Sequence, residues 1–182
     1  MNYYRILTSE NTNDKTDLYL MIKDDRITSA HCLYKSEYTK DIVFPIRLIA
    51  TNITENPREL DFPSVGCPEI VSEEVKNLIC EFAHWENVEF LPTYVENFSA
   101  KKKYYILHFK ELSSGYFDPI KSKYITVGEE KKLILSRIRS DKEILYPIFK
   151  IPEQPSYLFA SETFRKLFKK KKLTGCDFFK YS

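Results

Sequence analysis

The chain has 182 residues, of which 43% are hydrophobic and 15% aromatic, so it can bury a core and is too apolar for a disordered protein. Its formal net charge is +2 and it contains only 4 glycines, which disfavours glycine-rich nucleotide-binding loops. The sequence starts without the apolar run of a secretory signal, and no apolar stretch is long enough for a membrane span. We therefore expect a cytoplasmic protein with reduced cysteines and no membrane partner.

Segments rich in aromatic and β-branched residues predict strands along the whole chain. In chain order they are Tyr3–Leu7, Asp17–Lys23, Arg26–Tyr34, Ile42–Ala50, Val88–Val95, Lys103–Lys110, Lys132–Arg139, Leu145–Ile151, Tyr157–Ala160 and Cys176–Tyr181. Asp24 and Asp25 indicate a hairpin turn between the second and third of these strands. The stretch Asn52–Pro68 contains three prolines and no periodicity, so it is predicted to be a long loop.

Two helices are predicted by a pattern that occurs twice. Residues 70–90 and residues 159–178 each read as a short strand, a Ser-Glu pair, an amphipathic helix and a second strand. Ser72 and Ser161 are predicted N-caps, because a serine hydroxyl accepts a free backbone N–H at the start of a helix. Gly175 is predicted to terminate the second helix. Two helices among many strands predict an α+β fold with mainly antiparallel pairing.

Shorter matches extend this repeat towards the start of each half. Tyr3–Leu7 resembles Tyr104–Leu107, and Val43–Ile46 resembles Leu145–Ile148. The pattern indicates a diverged internal duplication, with an N-terminal half at 1–97 and a C-terminal half at 98–182 that could also pack as one domain.

Charge is distributed unequally between the halves. Residues 1–99 carry 9 basic and 17 acidic residues, a net charge of −8, whereas residues 100–182 carry 19 basic and 9 acidic residues, a net charge of +10. Such a chain can pair its two halves with each other or present opposite faces to partners.

Side chains suited to catalysis or metal binding are scattered. His31, His84 and His108 lie in no recognised catalytic motif, so we expect a protein that is not an enzyme; a hydrolase assembled from distant residues is the alternative. Cys67, Cys80 and His84 could contribute to a zinc site, but no C-x-x-C pair is present. Small buried cysteines are the competing interpretation, and we expect no metal and no cofactor.

Two basic runs suggest a second alternative function. Arg165–Lys172 and Lys101–Lys103 could together form a nucleic-acid-binding patch of a regulator. The competing interpretation is a solvated helix face, and the 26 acidic residues weaken the nucleic-acid hypothesis.

A separate segment, Gly115–Ser122, predicts a structural corner, because Asp118 can accept backbone N–H groups two residues later and Ser122 can join that network. A binding role is the alternative for this corner.

The order and spacing of several motifs resemble a known family. These motifs are Ile70–Glu73, Val88–Pro92, Tyr104–Leu107, Leu158–Glu162 and Leu173–Phe178, and Asp118 and Ser122 fall where the family pattern has Asp and Ser. The chain thereby resembles a family of bacterial polymorphic-toxin immunity proteins, typified by a myxobacterial protein and formerly a domain of unknown function. Some relatives carry C-x-x-C-Gly motifs that this sequence lacks. The resemblance implies a cytoplasmic protein that binds and neutralises a cognate toxin one-to-one.

An acidic face is the first candidate for the toxin contact. Toxins that attack nucleic acids need basic surfaces, and an acidic inhibitor gains encounter rate from complementary charge. The predicted partner-binding residues lie on the first helix and the following turn and strand: Glu73, Glu74, Glu81, Trp85, Glu86 and Glu89. Trp85 is included because tryptophan is a favoured interface anchor, although it could instead belong to the core. If the toxin is acidic, Arg165–Lys172 is the better surface.

Overall fold

The computed structural model describes residues 2–8, 16–23, 44–64 and 69–181. Within these residues the strands are β1 (Tyr3–Thr8), β2 (Asp17–Ile22), β3 (Ile46–Thr51), β4 (Arg58–Ser64), β5 (Ile70–Ser72), β6 (Val88–Val95), β7 (Tyr104–Phe109), β8 (Lys123–Val127), β9 (Glu130–Leu135), β10 (Ile148–Ile151), β11 (Gln154–Ser161) and β12 (Cys176–Lys180). The helices are α1 (Glu73–Cys80) and α2 (Glu162–Lys170). The predicted α+β fold with two helices is confirmed.

The strands form three sheets. A six-stranded sheet has the order β4-β2-β3-β6-β7-β5, a four-stranded sheet has the order β10-β11-β1-β12, and β8 and β9 form a two-stranded sheet. Pairing is antiparallel except between β2 and β4 and between β3 and β6. The first half of the sequence therefore supplies β1 to the sheet that the second half builds, and the boundary at residue 97 does not separate the two sheets.

One loop prediction and one strand prediction need correction. The expected loop Asn52–Pro68 is wrong over its centre, because Arg58–Ser64 forms β4 with buried Leu60 and Phe62. Pro63 is tolerated there since β4 is an edge strand of its sheet, where a missing N–H disrupts no ladder. The strand expected over residues 132–139 instead starts at Glu130 and ends at Leu135, and its partner β8 was not predicted. The strand expected at 26–34 and the turn at 24–25 lie outside the described residues.

Both serine caps are confirmed. The Oγ of Ser72 accepts the backbone N–H of Val75 at 3.3 Å, and the Oγ of Ser161 accepts that of Phe164 at 3.1 Å. These bonds satisfy donors that an α-helix leaves free in its first turn.

Gly175 does not terminate α2. The helix ends instead at Lys170, with Lys171 as its C-cap. The next residue, Lys172, has a positive φ of 55°, and the backbone N–H of Leu173 returns to the carbonyl of Phe168 at 3.2 Å, as in a Schellman motif. Gly175 has φ 96° and lies so close to β4 that a Cβ would be 2.5 Å from the carbonyl oxygen of Phe62. Glycine is needed at this position because of the neighbouring backbone, which sequence spacing could not reveal.

The repeat is present in three dimensions. In the first unit β7 lies between β5 and β6, and in the second β1 lies between β11 and β12. Tyr104 is opposite Ser72 in the first unit, just as Tyr3 is opposite Ser161 in the second. Further along, the pair Phe90–Leu107 corresponds to the pair Phe178–Ile6. The two units therefore share their strand order and their register. In the weaker match, residue 43 lies outside the described residues. Its last residues, Ile46 and Ile148, start strands at non-equivalent places, because β3 flanks β6 whereas β10 flanks β11.

The described residues form three apolar clusters. The central cluster combines the buried faces of α1 and α2 with residues of both large sheets, including Ile6, Val75, Leu107 and Phe164. A second cluster lies on the other face of the six-stranded sheet, and a third lies on the other face of the four-stranded sheet. Burial of this central cluster couples the two repeat units, since both helices contribute to it.

Candidate partner-binding surfaces

The β8–β9 hairpin is the most exposed element of the described structure. Its strands pair with each other and with no other described strand, and they connect through Gly128, which has φ 65°. Ile125 and Val127 alternate along β8 and therefore lie on one face, where they are 45% and 49% exposed. Ile134 of β9 is 50% exposed. Large aliphatic side chains on an uncovered strand pair are typical of an interaction surface.

A network at Asp118 and Ser122 fixes the base of this hairpin. The carboxylate of Asp118 accepts the backbone N–H groups of Ile120 and Lys121 at 3.1 and 3.0 Å. Ser122 Oγ donates to the carbonyl of Asp118 at 2.5 Å and accepts the backbone N–H of Arg137 at 2.9 Å. The structural corner predicted at Gly115–Ser122 thus connects the two ends of the hairpin and fixes the orientation of the hairpin.

Charged side chains lie on both faces of the hairpin: Lys132 is opposite Ile125 and Glu130 is opposite Val127, whereas Lys131 is opposite Thr126 on the other face. Four exposed lysines lie on or beside its strands, whereas the two acidic residues are at the tip: Lys121, Lys123, Lys131 and Lys132, with Glu129 and Glu130. The hairpin therefore combines an apolar strip with a border that is basic along the strands and acidic at the tip, and a complementary surface would have an apolar centre and the opposite charges at its border.

The carboxylates predicted on α1 face bases from the second half of the chain. Glu81 Oε1 is 2.6 Å from Lys171 Nζ, and Glu74 Oε2 is 3.8 Å from Lys102 Nζ. Glu73 accepts the hydroxyl of Tyr105 at 3.2 Å and is 4.0 Å from Lys103 Nζ. These contacts offset part of the opposite charges of the two halves within the molecule.

The remaining candidates of that surface differ in exposure. Trp85 is half-buried, and its ring stacks on Phe90 with the centroids 6.5 Å apart, so part of its surface belongs to the central cluster. Glu86 is exposed. Glu89 Oε1 lies 2.7 Å from Nδ1 of His108, whose side chain is buried beneath it. The structure thus places the six predicted residues around α1 without making them a uniformly acidic face.

Among the described residues, two buried carboxylates also form ion pairs that join the halves. Lys150 Nζ lies 2.8 Å from Glu69 Oε1, with both side chains buried. Asp61 accepts Lys102 Nζ at 2.6 Å and Ser72 Oγ at 2.9 Å, and its other oxygen accepts the backbone N–H of Thr174 at 2.9 Å. Buried charges need such partners, so these groups are part of the framework.

The basic helix α2 is partly neutralised. Glu162 binds Arg165 through two contacts of 2.8 and 2.9 Å, and its Oε1 is 3.6 Å from Lys166 Nζ. Hydrogen bonding from Arg165 lowers the pKa of Glu162 to about 2. Lys103 and Lys171 contact opposite ends of α1, so acidic side chains lie between the two basic runs. This arrangement does not favour one continuous phosphate-binding surface.

The structure assembles no metal cluster from the residues it describes. No group of three or more His, Cys, Asp or Glu side chains there is placed to hold a metal ion. Cys80 is half-buried and His84 exposed, while Cys67 and His31 lie outside the described residues. None of the described helices has the length and apolar character required to cross a membrane.

Comparison with known proteins gives no family assignment. The sequence matches no family model and no curated protein.

The β8–β9 hairpin is a candidate partner-binding surface that the sequence analysis did not predict. Its signal was the run Tyr124–Val127, which is β-branched and aromatic, followed at once by Gly128.

Proposed function

We propose that this protein is an immunity protein that binds and neutralises a cognate bacterial toxin in the cytoplasm, without catalysing a reaction. The observation that carries the proposal is the projecting β8–β9 hairpin with its exposed aliphatic residues. The resemblance of five spaced motifs to polymorphic-toxin immunity proteins supplies the class of partner.

The hairpin suits recognition of a protein because it offers two kinds of contact. Its aliphatic side chains can enter an apolar pocket, and its outer backbone edges can pair with a strand of the partner. Ile125 and Val127 are each about half exposed, so covering their remaining surface contributes about 1 kcal/mol per side chain. Together this corresponds to about a 30-fold change in affinity.

The acidic residues around α1 are a second contact in this proposal. Glu74 and Glu81 remain about half exposed despite their lysine partners, so they can still interact with a basic toxin. Exposed pairs contribute little to folding, which leaves these carboxylates available to exchange partners.

The experiment pairs the protein with the toxin domain encoded by the adjacent upstream gene. Co-expression should rescue the growth of cells that make the toxin, and the purified proteins should bind one-to-one. Ile125→Asp with Val127→Asp should weaken binding by at least about 30-fold and abolish rescue. Tyr124→Asp with Thr126→Asp is the matched control, because it adds the same two negative charges to the opposite face of β8, and we expect less than a threefold change.

Charge reversal separates the surfaces. Glu74→Lys with Glu81→Lys should slow association if the α1 carboxylates contact the toxin, whereas Lys169→Glu with Lys170→Glu should not. The reverse result would assign the interface to α2. Two results together would contradict the proposed function: no toxin gene lies next to this gene, and the wild-type protein does not rescue growth.

A further inference from the structure

We infer that the gap between β11 and β12 is a strand-binding site, and that β1 occupies it as a separable closing strand. In the first repeat unit the strand that fills the equivalent gap, β7, follows β6 directly in the sequence. In the second unit the equivalent place beside β12 is taken by β1 from the other end of the described chain. The second unit is thus completed by a segment distant in sequence, and this inference does not depend on the proposed function.

The site recognises its strand by defined side-chain contacts on the outer face. Tyr3 is 1% exposed, and its hydroxyl donates to the carbonyl of Lys142 and accepts the backbone N–H of Ile144, each at 2.9 Å. The ring of Tyr3 packs edge-on against Phe149 at 5.8 Å. A buried ring with a doubly bonded hydroxyl makes this position selective for tyrosine over phenylalanine.

The contacts on the helix face repeat those of the first unit. Arg165 lies over the ring of Tyr4 at 4.7 Å, as Lys76 lies over the ring of Tyr105 at 4.2 Å. Glu162 forms a hydrogen bond with the hydroxyl of Tyr4, which raises the pKa of that tyrosine. Glu73, at the same position of α1, bonds the hydroxyl of Tyr105.

The ligand class follows from these contacts. The site takes an extended segment with two successive tyrosines and, two residues later, an aliphatic residue; Ile6 fills that position and is 6% exposed in the central cluster. The sequence of β7 has the same features in Tyr104, Tyr105 and Leu107. A peptide with the β7 sequence should therefore also enter the gap.

The test uses the full chain with a protease site inserted between Thr8 and Thr16. After cleavage the N-terminal fragment should stay bound during gel filtration, and a fluorescent peptide of residues 2–8 should exchange with it. A Tyr3→Phe peptide should bind about tenfold weaker, since it lacks one hydroxyl with two hydrogen bonds. An Ile6→Asp peptide should not bind, and an Asn2→Ala peptide, altered at an exposed position, is the matched control.

Two results would overturn the inference. One is a cleaved chain that keeps its circular dichroism spectrum and its free energy of unfolding after the N-terminal fragment has dissociated. The other is equal exchange of the Ile6→Asp and unmodified peptides. If the cleaved chain unfolds, a circular permutant tests whether β1 is separable. A short linker can join the segment before Tyr3 to the segment after Tyr181, because the backbone N–H of Tyr181 donates to the carbonyl of Tyr3 at 2.9 Å. Opened between Thr8 and Thr16, the permutant should fold with a urea midpoint close to that of the parent, and aggregation would count against a separable strand.

Discussion

Alanine substitution of the two capping serines should give unequal losses of stability, although the two positions are equivalent in the repeat. Each substitution removes an N-cap bond, which costs about 0.5–2 kcal/mol. Ser72 is fully buried and also donates to the carboxylate of Asp61 at 2.9 Å. A hydrogen bond to a charged group contributes about 1.5–3 kcal/mol, so Ser72→Ala should cost about 2–5 kcal/mol and Ser161→Ala about 1 kcal/mol.

Urea unfolding of both variants, followed by circular dichroism, measures this difference. The denaturation midpoints should separate while the slopes stay the same, because neither change alters the surface exposed on unfolding. Ser72→Thr keeps a hydroxyl and serves as a control that should retain part of the lost stability. Equal losses for the two alanine variants, or a larger loss for Ser161→Ala, would refute the argument that Asp61 makes the difference.

Further predictions concern ionisable groups. The pKa of Glu162 is lowered from an ordinary 4.5 to about 2, so its contribution to stability is complete above about pH 4.5 and is lost as the pH falls towards 2. Acid titration of the unfolding midpoint should therefore be less steep over this range in Glu162→Gln than in the wild type; identical slopes would contradict it. Lys150→Met removes the ion pair of buried Glu69 and should cost about 3–5 kcal/mol, whereas adding Glu69→Leu should restore much of it. Thermal unfolding of the single and double variants checks this, and a single variant as stable as the wild type would disprove it.

Features encoded locally were predictable from the sequence. The serine caps and the helical faces depend on residues within about one or two helical turns, and both helices lie where the sequence places them. The strand β4 was missed because the three prolines of Asn52–Pro68 suggested a loop, while its stability comes from pairing with β2 and from contact with Thr174. Its burial depends on elements far away in the chain.

Contacts between residues distant in the sequence also explain why the sequence did not decide how the charges of the two halves are arranged at the candidate surfaces. The charge asymmetry was compatible with internal pairing or with separate faces. The ion pair between Glu81 and Lys171 spans 90 positions, so no local pattern could decide between them. Likewise, alternation could have revealed β8, but whether another sheet covers the hairpin depends on the tertiary arrangement.

The central position of β1 has a consequence for synthesis of the chain. A ribosome makes β1 before its neighbours β11 and β12, which follow roughly 150 residues later, on the order of 10–30 s at usual translation rates. During that interval Tyr3 and Ile6, which end up buried, lack their final neighbours. The four-stranded sheet therefore forms after synthesis of α2, whereas the contiguous unit of β5, α1, β6 and β7 can fold while the rest of the chain is still being made.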